Sequence, residues 1–244
     1  MDIFEDYASI YADCKQLNQL NNEGAHTLEQ TVISLSRMRC QWYNDNGITA
    51  RLPARPFVQE PSLSIALQYD QAEQYFPQEG KIYDSYMVFI DEILRQYDYV
   101  REYIKPIASI EHYPSSDTMR DDLRNGKLKY LPTEATWDEK DIELGYYMYN
   151  FVQTCDGEMC VNDVFRIVHD AFAHSAGFSF NKYGEYFAWW THRDSLTQLG
   201  RYALFCETRA QNTWTNMLPE HAKLHISQRP FPPPKAVLYK DSLV

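Results

Sequence analysis

The sequence predicts an all-α fold: a single-domain helical bundle with an irregular middle segment. Three observations support this. The stretch "KIYDSYMVFIDEILRQYDYVREYIKP" repeats apolar residues at three- and four-residue steps. Strand-like alternation is scarce and short. No internal repeat or low-complexity tract points to another architecture. With 244 residues, 44% of them hydrophobic, the chain can bury one large core or two small ones.

Residues 1–110 are expected to supply peripheral helices. "HTLEQTVISLSRMRCQWYND" places Leu28, Val32, Leu35 and Trp42 on one side, and Thr27 with Gln30 resembles a capping box. "ITARLPARPFVQEPSLS" carries three prolines and reads as an extended crossing, after which Ser62 is suited to cap a short helix. The long helix then presents Ile82, Tyr86, Phe89, Ile90, Ile93, Tyr97, Val100 and Ile104 over about six turns, with Pro106 as its stop. Residues 111–136, including "HYPSSDTMRDDLRNGKLKYLP", form the irregular segment. Helices that bear the site are expected over 137–216, resuming near "DEKDIELGYYMYNFVQT". The proline-rich tail of 217–244, with "RPFPPPKAVLYK", reads as extended.

Charge and composition exclude several classes of function. A net charge of −11 opposes non-specific nucleic-acid binding, which depends on neutralising phosphates with Lys and Arg. It leaves room for a small anionic substrate held by one or two arginines. No apolar run approaches the roughly 20 residues needed to cross a bilayer, so no membrane is expected. The acidic, amphipathic start does not read as a signal peptide, which points to the cytoplasm. Cys14, Cys40, Cys155, Cys160 and Cys206 are scattered and odd in number, as expected of reduced thiols rather than a zinc ribbon. Oligomeric state is not legible.

Chemistry concentrates in "NDVFRIVHDAFAHSAGF". Asn162 is a good N-cap, Asp163 adds negative charge to the first turn, and Gly177 is placed to end a helix reaching about Ser175. Phe165, Val168 and Phe172 define an apolar side that His169 borders. Asp170 and His174, at i and i+4, share an adjacent face with Arg166 one turn before, a spacing that lets two side chains chelate one ion. A second helix in "EYFAWWTHRDSL" aligns Glu185, Ala188 and His192. A third, "LTQLGRYALFCETRAQNTWTNML", sets Glu207 in an apolar run, where an unpaired carboxylate is costly to bury.

Helices joined by short turns pack together, so these polar stripes are expected to share an interior. The candidate metal ligands are His169, Asp170, His174, Glu185, His192 and Glu207. Mixed imidazole and carboxylate donors suit one or two divalent ions of Zn, Mn or Fe. Glu185 or Glu207 is the candidate general base, Arg166 the catalytic cation, and Arg209, Gln211 and Asn212 the substrate-binding groups. Taken singly, each of these residues also fits a hydrogen-bonded core. His26, His112, His221 and His225 are weaker candidates.

The series "FRIVHDAFAH", "GEYFAWWTH" and "ETRAQNTW" resembles a family of uncharacterised bacteriophage proteins, with weaker similarity in "RPFVQEPSL" and the helix after it. Relatives often have glycine where this chain has Ala173 and Ala210. The resemblance implies a phage origin and the same set of site residues, but no reaction. The HD doublet also resembles metal-dependent phosphohydrolases of the HD type, which are all-α. The nearest partners for that pattern, His112 and Asp194, do not match its spacing. The ligand set is further similar to non-haem di-iron oxidases of the haem-oxygenase-like type, through the Glu185–His192 spacing alone. Three expectations follow: a metal-dependent hydrolase acting on a nucleotide or other phosphate-bearing substrate, a di-iron O₂-dependent oxidase, and a non-enzymatic phage structural or host-interaction protein with a buried polar network.

Overall fold

The computed structural model describes residues 62–72, 76–136 and 145–224. The helix expected in "HTLEQTVISLSRMRCQWYND", the proline-rich crossing up to Pro61 and the chain beyond Leu224 lie outside them. The described chain is mainly helical, with two small two-stranded sheets that the periodicity did not predict. No helix among the described residues is long and apolar enough to cross a membrane. The elements are α1 (Ser62–Gln71), α2 (Lys81–Arg101), β1 (Lys105–Ala108), α3 (Ser116–Arg124), β2 (Lys127–Tyr130), β3 (Phe151–Thr154), β4 (Gly157–Cys160), α4 (Val161–Phe172), α5 (Lys182–Asp194), α6 (Gln198–Phe205), α7 (Gln211–Met217) and α8 (Pro219–Leu224).

The chain divides into two compact units, with boundaries falling inside α2 and α4. Among the described residues, the first unit comprises 96–131 and 166–195. Its middle segment, expected to be irregular, is a small β–α–β arrangement. β1 and β2 pair in parallel from Lys105↔Lys127 to Ala108↔Tyr130, joined through α3. Ser115 caps α3 by accepting from the Thr118 amide at 3.2 Å. Met119, Leu123 and Leu128 are buried, giving an otherwise strongly charged stretch an apolar side. The Tyr113 hydroxyl accepts from the Lys129 amide at 2.7 Å and donates to Asp122 at 2.9 Å, tying strand to helix.

The second unit comprises 62–72, 76–95, 132–136, 145–165 and 196–224. Of the helix expected near "DEKDIELGYYMYNFVQT", residues 138–144 lie outside the described ones, and Phe151–Thr154 is instead the first strand of a hairpin, with β3 and β4 antiparallel from Phe151↔Cys160 to Thr154↔Gly157. Gly157, at φ 106°, takes the left-handed conformation that a tight turn requires. α4 begins at Val161, one residue before the expected cap. Asn162 instead donates to the Thr133 hydroxyl at 3.1 Å, and Asp163 accepts from the Thr133 amide at 2.7 Å. α1 lies against α7, where Trp214 donates to Asp70 at 2.9 Å and its ring packs tilted against Tyr69, with centroids 5.4 Å apart. The long helix predicted from Leu196 to Leu218 is present as α6 and α7, joined by a π-helical turn over Cys206–Ala210. Part of the predicted extended tail is α8.

α2 buries the predicted stripe of Tyr86, Phe89, Ile90, Ile93, Tyr97 and Val100. It stops at Arg101, and Pro106 sits in β1 instead of ending the helix. Glu92 and Gln96 fall on the same buried side, so this apolar face is interrupted by two polar groups.

Candidate metal centre

His169 lies near the end of α4, His174 on the 3₁₀ turn His174–Ala176, and Glu185 in the first turn of α5. α4 stops at Phe172, so Asp170 and His174 do not form the i, i+4 pair of one regular helix. Gly177, at φ 107°, closes the 3₁₀ turn with its amide on the His174 carbonyl. The chain then doubles back. The Asn181 side chain accepts from the Gly184 amide at 2.9 Å and caps α5. Gly184 approaches the Ser179 backbone so closely that a Cβ would stand 1.8 Å from its carbonyl oxygen. This close reversal carries Glu185 against His174.

One potential ligand atom each from His169, His174 and Glu185 lies within 4.8 Å of the others. His174 Nε2 is 3.5 Å from Glu185 Oε2, and its Nδ1 is 3.0 Å from the Phe178 carbonyl. That carbonyl only accepts, so Nδ1 carries a proton and Nε2 is the nitrogen facing the group. A ligating histidine is commonly oriented in this way by a backbone carbonyl. His169 and His174 stand edge to face with centroids 5.2 Å apart, and both rings are buried. His169 Nδ1 is 3.1 Å from His192 Nδ1, and His192 Nε2 is 2.9 Å from Gln96 Oε1.

The electrostatics of the group are asymmetric. Burial, reinforced by the neighbouring His174 and His192 rings, holds His169 well below the usual imidazole range. Burial also works against charging His174, but Glu185 and then Asp170 outweigh it and raise its pKa. Burial alone pushes His192 down to about 3. Burial raises Asp170 to about 6; Glu185 adds to the shift, while His174 and Arg166 oppose it. The site therefore holds two neutral imidazoles, one imidazole that favours its proton, and a carboxyl poised near neutrality.

No family model, curated protein or solved structure matches the chain.

The other predicted site residues are placed as follows. Asp170 is half-buried and couples electrostatically to His174, Glu185 and Arg166. Arg166 donates to the Leu131 carbonyl at 2.7 Å. His192 stands behind His169 with both ring nitrogens engaged. Glu207 belongs to the second unit, on the π-helical turn, where it accepts from the Tyr86 hydroxyl at 2.6 Å and from the Tyr146 hydroxyl. Arg209 is buried on the same turn, and Gln211 and Asn212 begin α7 half-buried. His112 and His221 are exposed. Asp194 pairs with Arg193 at 3.0 Å. Three residues escaped the sequence reading: Gln96, Tyr86 in its bonding role, and Tyr146. Gln96 left a signal, a polar residue one turn from Ile93 and Val100 on an otherwise apolar stripe.

The raised Asp170 pKa has a measurable consequence. Its carboxyl binds a proton more tightly folded than unfolded. The stability it contributes is therefore full below the ordinary 3.8 and is lost as pH rises to about 6. Asp170→Asn is expected to be more stable than the parent at pH 8 without metal, with the advantage shrinking steadily as pH falls from about 6 towards 4. Equal urea midpoints for the two proteins at pH 8 would contradict it.

Proposed function

We propose that the chain is a metal-dependent enzyme, a hydrolase acting on a small anionic, nucleotide- or phosphate-bearing substrate. His169, His174 and Glu185 hold one divalent ion. The observation that carries this reading is the convergence of two imidazoles and one carboxylate from three successive elements within 4.8 Å. Two histidines and a glutamate are a recognised catalytic set for zinc, because three protein ligands leave a position for water or substrate. Glu185, with 21% of its side chain exposed, gives the group an opening to solvent. Phe180, 38% exposed, stands beside His174 at 4.9 Å between centroids.

A divalent ion held there supplies a Lewis acid that lowers the pKa of water towards neutrality. The remaining tasks fall to the protein. Asp170, with a pKa of about 6, is suited to take the proton as general base. Arg166 adds positive charge beside Asp170, fitting a phosphate-bearing substrate. Glu185 serves as ligand in this reading. Glu207, bonded to two tyrosines, is assigned no step. Phage origin, and with it action inside a host cell, rests on the "FRIVHDAFAH", "GEYFAWWTH" and "ETRAQNTW" series.

A non-haem iron oxidase is the second reading, favoured by the same two-histidine, one-carboxylate donor set. Metal analysis of protein purified without chelator, followed by assays on nucleoside phosphates with and without added metal, separates the readings. The hydrolase predicts one zinc or manganese per chain and phosphate release that chelators abolish. Iron with near-ultraviolet charge-transfer absorption would favour the oxidase. Absence of metal, with a melting temperature indifferent to chelators, would leave a structural polar network.

A further inference from the structure

The three ligands do not explain why Gln96 and His192 are both fully enclosed behind His169. Burying an amide and an imidazole carries a desolvation cost unless each bond is satisfied in a definite sense. The sense of every bond in this row can be worked out. Gln96 Nε2 lies 3.3 Å from the Ser195 carbonyl and 2.9 Å from the Ser195 hydroxyl. The carbonyl only accepts, and the hydroxyl spends its proton on the His192 carbonyl at 2.6 Å. Both Ser195 groups therefore require a donor, which fixes the Gln96 amide with its nitrogen towards Ser195. Its oxygen then faces His192 Nε2 at 2.9 Å, and that nitrogen must carry a proton.

The rest follows along the row. The His192 ring is fully enclosed and stacks on Phe172 at 5.9 Å between centroids, surroundings that favour a neutral ring. With its one proton on Nε2, its Nδ1 presents a lone pair. His169 Nδ1, 3.1 Å away, must donate to it. His169 is thereby held as the Nδ1–H tautomer, which leaves the lone pair of its Nε2 as what it can offer to the group with His174 and Glu185.

We infer that Gln96 and His192 are positioning residues that lock His169 in the metal-ligating tautomer, readying the site for a divalent cation that accepts imidazole nitrogen. The coordination part rests on the metal reading above; the tautomer part stands on hydrogen bonding alone. Hydrogen-bond partners that orient a ligating histidine typically change metal affinity by about 10–100-fold when removed. Gln96 does so from α2, a helix that supplies no ligand.

The test is long-range ¹H–¹⁵N correlation of the histidine rings in the metal-free full chain, with zinc affinity measured by chelator competition. The wild-type protein is expected to show His192 protonated on Nε2 and His169 on Nδ1. Gln96→Met keeps the volume and removes the acceptor. It is expected to mix the tautomers of both rings and to weaken zinc binding about 10–100-fold, with the circular dichroism spectrum unchanged. A wild-type His192 protonated on Nδ1, or a His169 protonated on Nε2, overturns the inference. So does a Gln96→Met protein with unaltered tautomers and unaltered affinity. If Gln96→Met does not fold, the wild-type tautomers decide alone. Expected tautomers in a protein that binds no zinc would sink the metal reading and leave the locked row standing.

Discussion

Glu185→Gln is expected to lower the affinity for zinc or cobalt by at least about 100-fold while leaving the fold intact. Removing a group that merely orients a ligand already costs about 10–100-fold, and this substitution replaces the only charged donor among the three ligands by a weak neutral one. The shape hardly changes, and the side chain is partly open to solvent, so little packing is lost. The same substitution removes the charge that outweighs burial at His174. The His174 pKa should therefore fall in the metal-free variant, since burial is then opposed only by Asp170 and the Phe178 carbonyl. Calorimetry reads the first effect and a histidine NMR titration the second. A variant that binds metal as tightly as the parent would remove Glu185 from the centre. A lost affinity with an unmoved His174 titration would mean that the two side chains are not coupled as the 3.5 Å approach implies.

Gly184→Ala is the second large effect. An added Cβ would stand 1.8 Å from the Ser179 carbonyl oxygen and 2.6 Å from the Ser179 carbonyl carbon and amide nitrogen. All three are backbone atoms, which cannot swing aside as the tip of a side chain can. Either the turn at Ser179 or the start of α5 must move, at a cost of about 3 kcal/mol by comparison with overpacked cores. The damage should not stop at stability. Ser179 follows Phe178, whose carbonyl orients His174, and Gly184 precedes Glu185. Two of the three ligands are thus attached to the atoms that must shift. Thermal melting and zinc titration should therefore fall together, with affinity reduced at least as far as in Glu185→Gln. A Gly184→Ala protein with parental melting temperature and affinity would show that the chain does not reverse this closely.

How far the sequence could reach is clearest at particular residues. Three- and four-residue spacing in "KIYDSYMVFIDEILRQYDYV" located α2 and its buried face, because a helix presents every third or fourth side chain to the same neighbour. Gly177 announced its turn through local backbone chemistry, which needs no distant partner. The βαβ segment escaped because its helix is charged and each strand is four residues long, too short for alternation to register. Asp156 in the turn, followed by Gly157 at the start of β4, is a hairpin signal between two short strands, too weak beside the helical pattern before it.

The sequence by itself determined that the described residues are mainly helical and that histidines and carboxylates crowd the stretch from Arg166 to His192, where His169, His174 and Glu185 all lie. Periodicity and capping are local, so they survive the loss of every long-range contact. Which members of that crowd meet was decided only in three dimensions. The break of α4 at Phe172, the reversal at Gly184 and the Gln96 amide arriving from α2 are products of tertiary packing. Glu207 turned instead to Tyr86 and Tyr146, residues far from it in the chain. A buried polar atom takes its role from the partner that satisfies it, and here that partner often lies many residues away.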